Sequence, residues 1–396
     1  MANLYAQQGA AGNWPDTTFG IYTDAATAAT VSAFLSQKSF WGANAASYQS
    51  AVDKGMSYLL GQASTETVGV RTDGKNPCGS GTCTGISWYG SGEATYTTGL
   101  VATAIGQYAA SNPTAVATAT GPLAGKTWRD IAQGITNEFA GSQATQNNQV
   151  YSGARGGWRY FPSQASSGDA DGSTTQWAVI SMLYDQSLGA STPQFVKDEL
   201  KNYWLPTIQS PSGAGCYTPG YLCEHSDTGS LLIGHAFVGN GSNTPAVKAA
   251  LEWLNQHWPE SANSLWYGNF GQPYAMWALF KGLELEIGLT DTTTITNLLN
   301  ASCGGDLVAP TVCNWWQDFN EWLVTHQNAD GSWTGYEYWT GVLATAFDVS
   351  ILAGTVLPPV CTDPVACPEP ATLAVLGLGL LGLGTVKRRG RRPAHA

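Results

Sequence analysis

Gly156-Gly157-Trp158-Arg159-Tyr160-Phe161-Pro162 is followed, after a short polar stretch, by Asp171-Gly172-Ser173-Thr174-Thr175-Gln176-Trp177-Ala178. The first run reads as a glycine-rich loop carrying aromatics. The second opens a helix of small residues and aromatics that extends from Ser173 to Leu188. Asp171 or Ser173 stands where a helix start wants a side-chain oxygen, a cap worth about 1 kcal/mol. Upstream, Trp128, Ile131, Ile135 and Phe139 recur at helical spacing, so an amphipathic helix precedes the loop. Amphipathic helix, aromatic loop and small-residue helix make one unit.

The unit recurs at uneven intervals. Further amphipathic stretches are Val52, Met56, Leu59, Leu60; Val196, Leu200, Tyr203, Trp204; Val247, Leu251, Leu254, Trp258; and Trp315, Phe319, Trp322, Leu323. The loops after them carry Trp88-Tyr89, Tyr217, Trp266-Tyr267 and Gly331-Ser332-Trp333. Second helices include Glu93 to Tyr108 and Thr340 to Ala353. Each glycine in such a helix costs about 1 kcal/mol in isolation, so these helices need close neighbours. A second-type helix over Thr17 to Ser36 lacks a first partner, and the chain is expected to begin in mid-repeat.

The 156–162 and 171–178 runs, with Gln327-Asn328-Ala329-Asp330-Gly331-Ser332-Trp333, resemble the prenyltransferase/squalene-oxidase repeat. The resemblance spans roughly residues 15 to 355. It implies an all-α fold, an α/α toroid of five to six helical hairpins with inner and outer helix rings. The expected organisation is a toroid over 1–356, a Pro/Cys linker over 357–367 and a sorting signal over 368–392.

That last segment has three parts: Pro368-Glu369-Pro370, an apolar Leu/Gly-rich span, and Lys387, Arg388, Arg389, Arg391, Arg392. The apolar run from Ala371 to Val386 makes a helix of about 24 Å, slightly short for a bilayer core. The order resembles the PEP-CTERM sorting signal. That resemblance implies export, membrane retention through a C-terminal transmembrane-type helix, and cleavage by an exosortase. The expected address is the inner membrane before processing, then the cell envelope or the exterior. The start of the chain, Met1-Ala2-Asn3-Leu4-Tyr5-Ala6-Gln7-Gln8, lacks the basic and apolar regions of an export leader.

Composition agrees with that address. The 396 residues carry 17 Lys+Arg and 28 Asp+Glu, a net charge of −11, with only 11% charged. Five of the positive charges lie in the tail, which leaves 12 against 28, or −16, upstream. Such a balance excludes a basic nucleic-acid footprint. Abundant aromatics exclude a disordered polyelectrolyte. A surface of uncharged polar residues suits a polymer-rich envelope, with exopolysaccharide as the expected partner.

Eight cysteines fall into near neighbours: Cys78 with Cys83, Cys216 with Cys223, Cys303 with Cys313, and Cys361 with Cys367. Even local pairing predicts four short-range disulfides that pin loops. No couple has the C-x₂-C spacing of zinc clusters. Cys223-Glu224-His225 with Asp227 is the only mixed-ligand cluster, and neither a metal nor a cofactor is expected.

For chemistry, Asp169-Ala170-Asp171-Gly172 is the first candidate, because terpene cyclases on the toroid scaffold use a DxDD acid. Here Gly replaces the final Asp, and the alternative role of Asp171 is a helix cap. Cys223, His225, Asp227 and His235 are too crowded for the separated zinc ligands of prenyltransferases. A glycosidase would need two carboxylates about 5 to 9.5 Å apart. Glu93, Asp169, Asp171, Glu224, Asp227, Glu337 and Asp348 lie on or near inter-helix loops, and spacing alone selects no pair. The loop aromatics either stack on sugars or plug gaps between hairpins. The expectation is a non-catalytic toroid used for binding, with a glycan-active enzyme or a remnant terpene cyclase as the alternative. A deep central cavity lined by carboxylates would favour the enzyme, and a filled centre the binding protein.

Overall fold

The computed structural model describes residues 1–16, 21–89, 93–147, 153–161, 169–263, 266–300, 313–355 and 358. The described chain is predominantly helical, as an all-α protein should be. Six helices carry the small residues and aromatics: α2 (Thr23–Ser36), α4 (Ala94–Ala109), α6 (Gly172–Ser187), α9 (His225–Phe237), α11 (Pro273–Ile287) and α13 (Gly341–Leu352). They are buried nearly all round. A helix apolar or small on every face belongs inside. Each packs on the next, and α13 packs back on α2, so the contacts close into a ring.

Between them run the amphipathic helices: α3 (Ala45–Gly61), α10 (Pro245–His257) and α12 (Trp315–Thr325), each with one side buried, and α5 (Trp128–Ser142), which is buried all round from Gly134 to Ala140. A fifth is broken into α7 (Gln194–Glu199), a π-helical turn (Leu200–Trp204) and α8 (Leu205–Ile208). That turn shifts the helical register. Tyr203, expected on the apolar face, is instead exposed and stacks on the Arg155 guanidinium at 3.3 Å. Two antiparallel hairpins complete the body: β1 (Ser64–Val68) with β2 (Cys83–Ser87), and β3 (Cys216–Thr218) with β4 (Tyr221–Cys223).

The ring helices approach closely where they carry glycine. A Cβ on Gly99 of α4 would lie 2.8 Å from the Trp177 carbonyl oxygen of α6, and one on Gly282 would lie 2.8 Å from the Gly229 carbonyl. The conformational cost of these glycines is offset by backbone-to-backbone packing that no side chain would allow.

In four of the six units a buried tryptophan joins the hairpin to its ring helix in the same way. The Trp88 indole donates to the Leu59 carbonyl at the end of α3 (2.6 Å), and its backbone N–H donates to Thr98 Oγ1 of α4 (3.0 Å). Trp158 repeats this with Phe139 and Thr175, and Trp333 with Leu323 and Thr345. Trp14 does so with Leu4 and Thr27. Leu4 belongs to a short helix, α1 (Ala2–Ala6). The second-type helix expected over 17–36 therefore begins at Thr23 and does have a partner. In the other two units Gly215 keeps the bond to Thr228 Oγ1, and the Asn269 amide replaces an indole by donating to the Trp258 carbonyl.

The Cys78–Cys83 and Cys216–Cys223 disulfides are formed. Cys313 is also disulfide-bonded. Cys303, Cys361 and Cys367 lie outside the described residues, as do the sorting motif (Pro368, Glu369, Pro370), the apolar tail segment and Arg388, Arg389, Arg391, Arg392. Among the described residues no helix is long and apolar enough to cross a membrane.

Candidate functional site

Every ring helix is preceded by a loop at the same end of the ring, so six helix N-termini converge there. They enclose a cavity of about 430 Å³. Its wall takes Tyr22 and Ala25 from the start of α2, Glu93 and Tyr96 from α4, Ser173 from α6, and Tyr274 from α11. Glu224, Ser226 and Asp227 come from α9, and Trp339 and Leu343 from the entry to α13. Loop residues Tyr160, Tyr217, Tyr221, Trp266 and Tyr338 close the rim.

The β3–β4 hairpin shows how local sequence builds this rim. Cys216 and Cys223 face each other in register and are bonded, so the turn between them is fixed. The hairpin sets Tyr217 and Tyr221 on the cavity and delivers Glu224 to the start of α9. On the far side, Trp266 and Tyr338 stack at 5.6 Å, and Tyr274 stacks on Trp339 at 4.4 Å. Behind this wall Trp177, Trp277 and Phe347 stack on one another, with Trp177 against Tyr274 and Phe347 against Trp339.

The carboxyl groups differ in what they are tied to. Asp171 caps α6: its Oδ1 accepts from the Thr174 amide (2.8 Å) and the Ser173 hydroxyl (2.6 Å). Its Oδ2 accepts from the Arg159 guanidinium, which also pairs with Asp169 at 3.1 Å. Burial pushes the Asp171 carboxyl up, and Arg159, Ser173 and Thr174 pull it back only in part. Glu224 caps α9 by accepting from the Ser226 and Asp227 amides, both at 2.8 Å. Asp227 is buried beside it, and burial together with the Glu224 charge holds its carboxyl well above the usual range. Among the described residues, Asp227 Oδ1 has no hydrogen-bond partner.

Glu93 is different. It sits at the N-cap of α4 with φ of +53°, and its side chain makes no hydrogen bond to its own helix. Burial raises its carboxyl, with a bond from Tyr22 pulling the other way and the Asp171 charge adding to the rise. Among the described residues, the non-glycine residues with positive φ are Glu93, Leu222 and Glu337. The first two line the cavity, and the third precedes Tyr338 and Trp339. Backbone strain gathered at one mouth points to function there.

Of the carboxylates expected from sequence, the fold thus brings Glu93, Glu224 and Asp227 onto one cavity, with Asp171 behind Ser173. Asp169 lies outside on Arg159, and Asp348 does not line the cavity. Cys223, His225, Asp227 and His235 do not converge. Cys223 is in its disulfide, His225 bonds the His257 carbonyl and His235 bonds Asn240. No group of metal-ligating side chains forms among the described residues. Tyr22, Tyr96, Tyr221 and Tyr274 were not legible as site residues. The signal that marks three of them is an aromatic at the cap or first turn of a ring helix, as in Tyr22, Tyr96 and Tyr274.

Residues 366–392 match the family described as the PEP-CTERM protein-sorting motif. The chain therefore carries the signal of an exported protein processed by exosortase. No curated protein matches the chain. A crystal structure of a protein from Actinoplanes is similar at 15% identity and a TM-score of 0.44, over 89% of this chain and 95% of its own.

Proposed function

We propose that this chain is the precursor of a cell-envelope or matrix protein, retained at the membrane by its C-terminal segment until exosortase releases it. Its body is read as an α/α toroid related to the prenyltransferase/squalene-oxidase repeat. The toroid binds a saccharide of the surrounding exopolysaccharide in its central cavity and has no catalytic part in it. The observation that carries this is the cavity wall, where flat aromatic faces alternate with hydroxyl and carboxyl groups. Aromatic faces pack on the apolar faces of sugar rings, while the polar groups take up hydroxyls. The test is titration of the purified full chain in detergent with a panel of oligosaccharides, read by tryptophan fluorescence. Saturable quenching by at least one is expected, and none by any would overturn the reading.

A glycan-active enzyme is the second reading. It is supported by the cavity itself, since a centre lined by carboxylates is the outcome that favours an enzyme, and by Asp227, whose carboxyl burial and the Glu224 charge hold well above the usual range on the same wall as Glu224 and Glu93. New reducing ends released from the bound oligosaccharide, and lost in Asp227→Asn, would select it.

A further inference from the structure

The cavity wall has a one-sided chemistry. It carries three carboxyl groups and nine aromatic rings, and among the described residues no Lys, Arg or His lines it. Arg159 stacks on Tyr160 and Tyr217 and is paired with both Asp169 and Asp171, so its charge is already matched by carboxyl groups. The hydroxyls of the wall can serve a neutral sugar, whereas an acidic one needs a cation that the wall does not offer. A protonated amine needs what is present, namely anions and electron-rich ring faces in an enclosed space.

Glu93 supplies the second observation. Asp171 and Glu224 spend their oxygens on capping their helices, and the cap of α11, Gln272, does the same. Glu93 occupies the equivalent position on α4 and does not cap. Instead its backbone is held left-handed and its carboxyl meets the cavity beside Tyr22. Its carboxyl accepts from Tyr22 on the cavity wall rather than from its own helix, so a strained residue holds a carboxyl group toward the cavity instead of at the helix end.

We propose that the cavity selects an amino sugar bearing a free amine, with the ammonium seated at Glu93 among the tyrosine and tryptophan faces. The proposal rests on the saccharide reading above and narrows it. Attraction between ammonium and carboxylate in a half-enclosed site also makes binding fall with added salt.

The test titrates the full chain at neutral pH with four probes: a glucosamine tetramer, its N-acetylated counterpart, a neutral glucose tetramer and choline. The glucosamine tetramer is expected to bind about tenfold more tightly than the other two sugars, the difference one charge-assisted contact makes. Equal binding by the N-acetylated or neutral tetramer overturns the amine selectivity while leaving saccharide binding in place. Choline binding as tightly as the glucosamine tetramer overturns the sugar class. Silence from every sugar overturns the underlying reading itself. Glu93→Gln should cost the glucosamine tetramer about tenfold and leave weak neutral-sugar binding alone. Unchanged glucosamine binding in that variant overturns the assignment of Glu93. Should the variant fail to fold, salt and acid titrations of the unaltered chain decide, since amine binding must weaken under both and neutral-sugar binding under neither.

Discussion

The two ends of the helix ring are built from the same six helices and differ in nearly everything else. At the N-terminal end the helices stand back from a cavity of about 430 Å³, walled by carboxyls and aromatics and rimmed by strained loops. Further along, Trp177, Trp277 and Phe347 fill the axis. A pocket of about 10 Å³ lies there beside Lys281, whose buried ammonium donates to Thr355. On this contrast the filled half is expected to carry more of the stability and the open half the proposed binding. Small residues let the helices close, and what occupies the axis decides which half stays open.

The largest effect should come from emptying the filled half. Trp277→Ala removes a stacked, buried ring and is expected to cost about 3–5 kcal/mol of stability, read from the urea midpoint. Trp266→Ala at the rim should shift the midpoint little while abolishing saccharide binding. If both variants lose equal stability, the division between the two halves is wrong.

Next comes the Cys216–Cys223 bridge, which closes a short loop. Replacing both cysteines by serine should cost about 2 kcal/mol through loop entropy. The same change frees Tyr217 and Tyr221, so ligand affinity should drop with it. The Cys78–Cys83 bridge touches no cavity residue, and its removal should lower stability alone.

Lys281 tests the filled half through pH. Burial lowers its ammonium from 10.5 to about 8. As pH rises from about 8 to 10.5, the folded chain has shed this proton and the unfolded chain has not. Stability therefore rises across that window, because the unfolded state binds more protons. Lys281→Met should flatten the rise and gain about 1 kcal/mol at neutral pH, measured by denaturant titration at a series of pH values.

Much of this division was legible in sequence. The Gly-Trp and Ser-Trp loops located three of the six hairpin junctions, at Trp88, Trp158 and Trp333, while Trp14, which follows Asn13, was missed and its helix was expected to lack a partner. Gly215 and Asn269 do the same work without an indole, and nothing local marks them. The carboxylates were all visible, but which three share a cavity depends on ring closure between α13 and α2, at opposite ends of the chain. The cavity tyrosines were hidden for another reason. A tyrosine at the start of a small-residue helix reads as packing until six such starts meet. The sorting motif needed no fold at all, since a linear signal is read in order.

The smallest expected effect is also the sharpest comparison between the halves. Glu93 holds φ of +53°, a region that disfavours a side chain with a Cβ. Glycine adopts it freely, so Glu93→Gly should leave the fold slightly more stable, by up to about 1 kcal/mol. The same change deletes the uncapped carboxyl, so affinity for an amine-bearing sugar should fall by at least as much as in Glu93→Gln. Stability gained and binding lost in one variant would mean that the fold carries strain at its open end for a ligand. Stability lost instead would show Glu93 to be a structural residue, and the contrast between the two ends would then rest on packing alone.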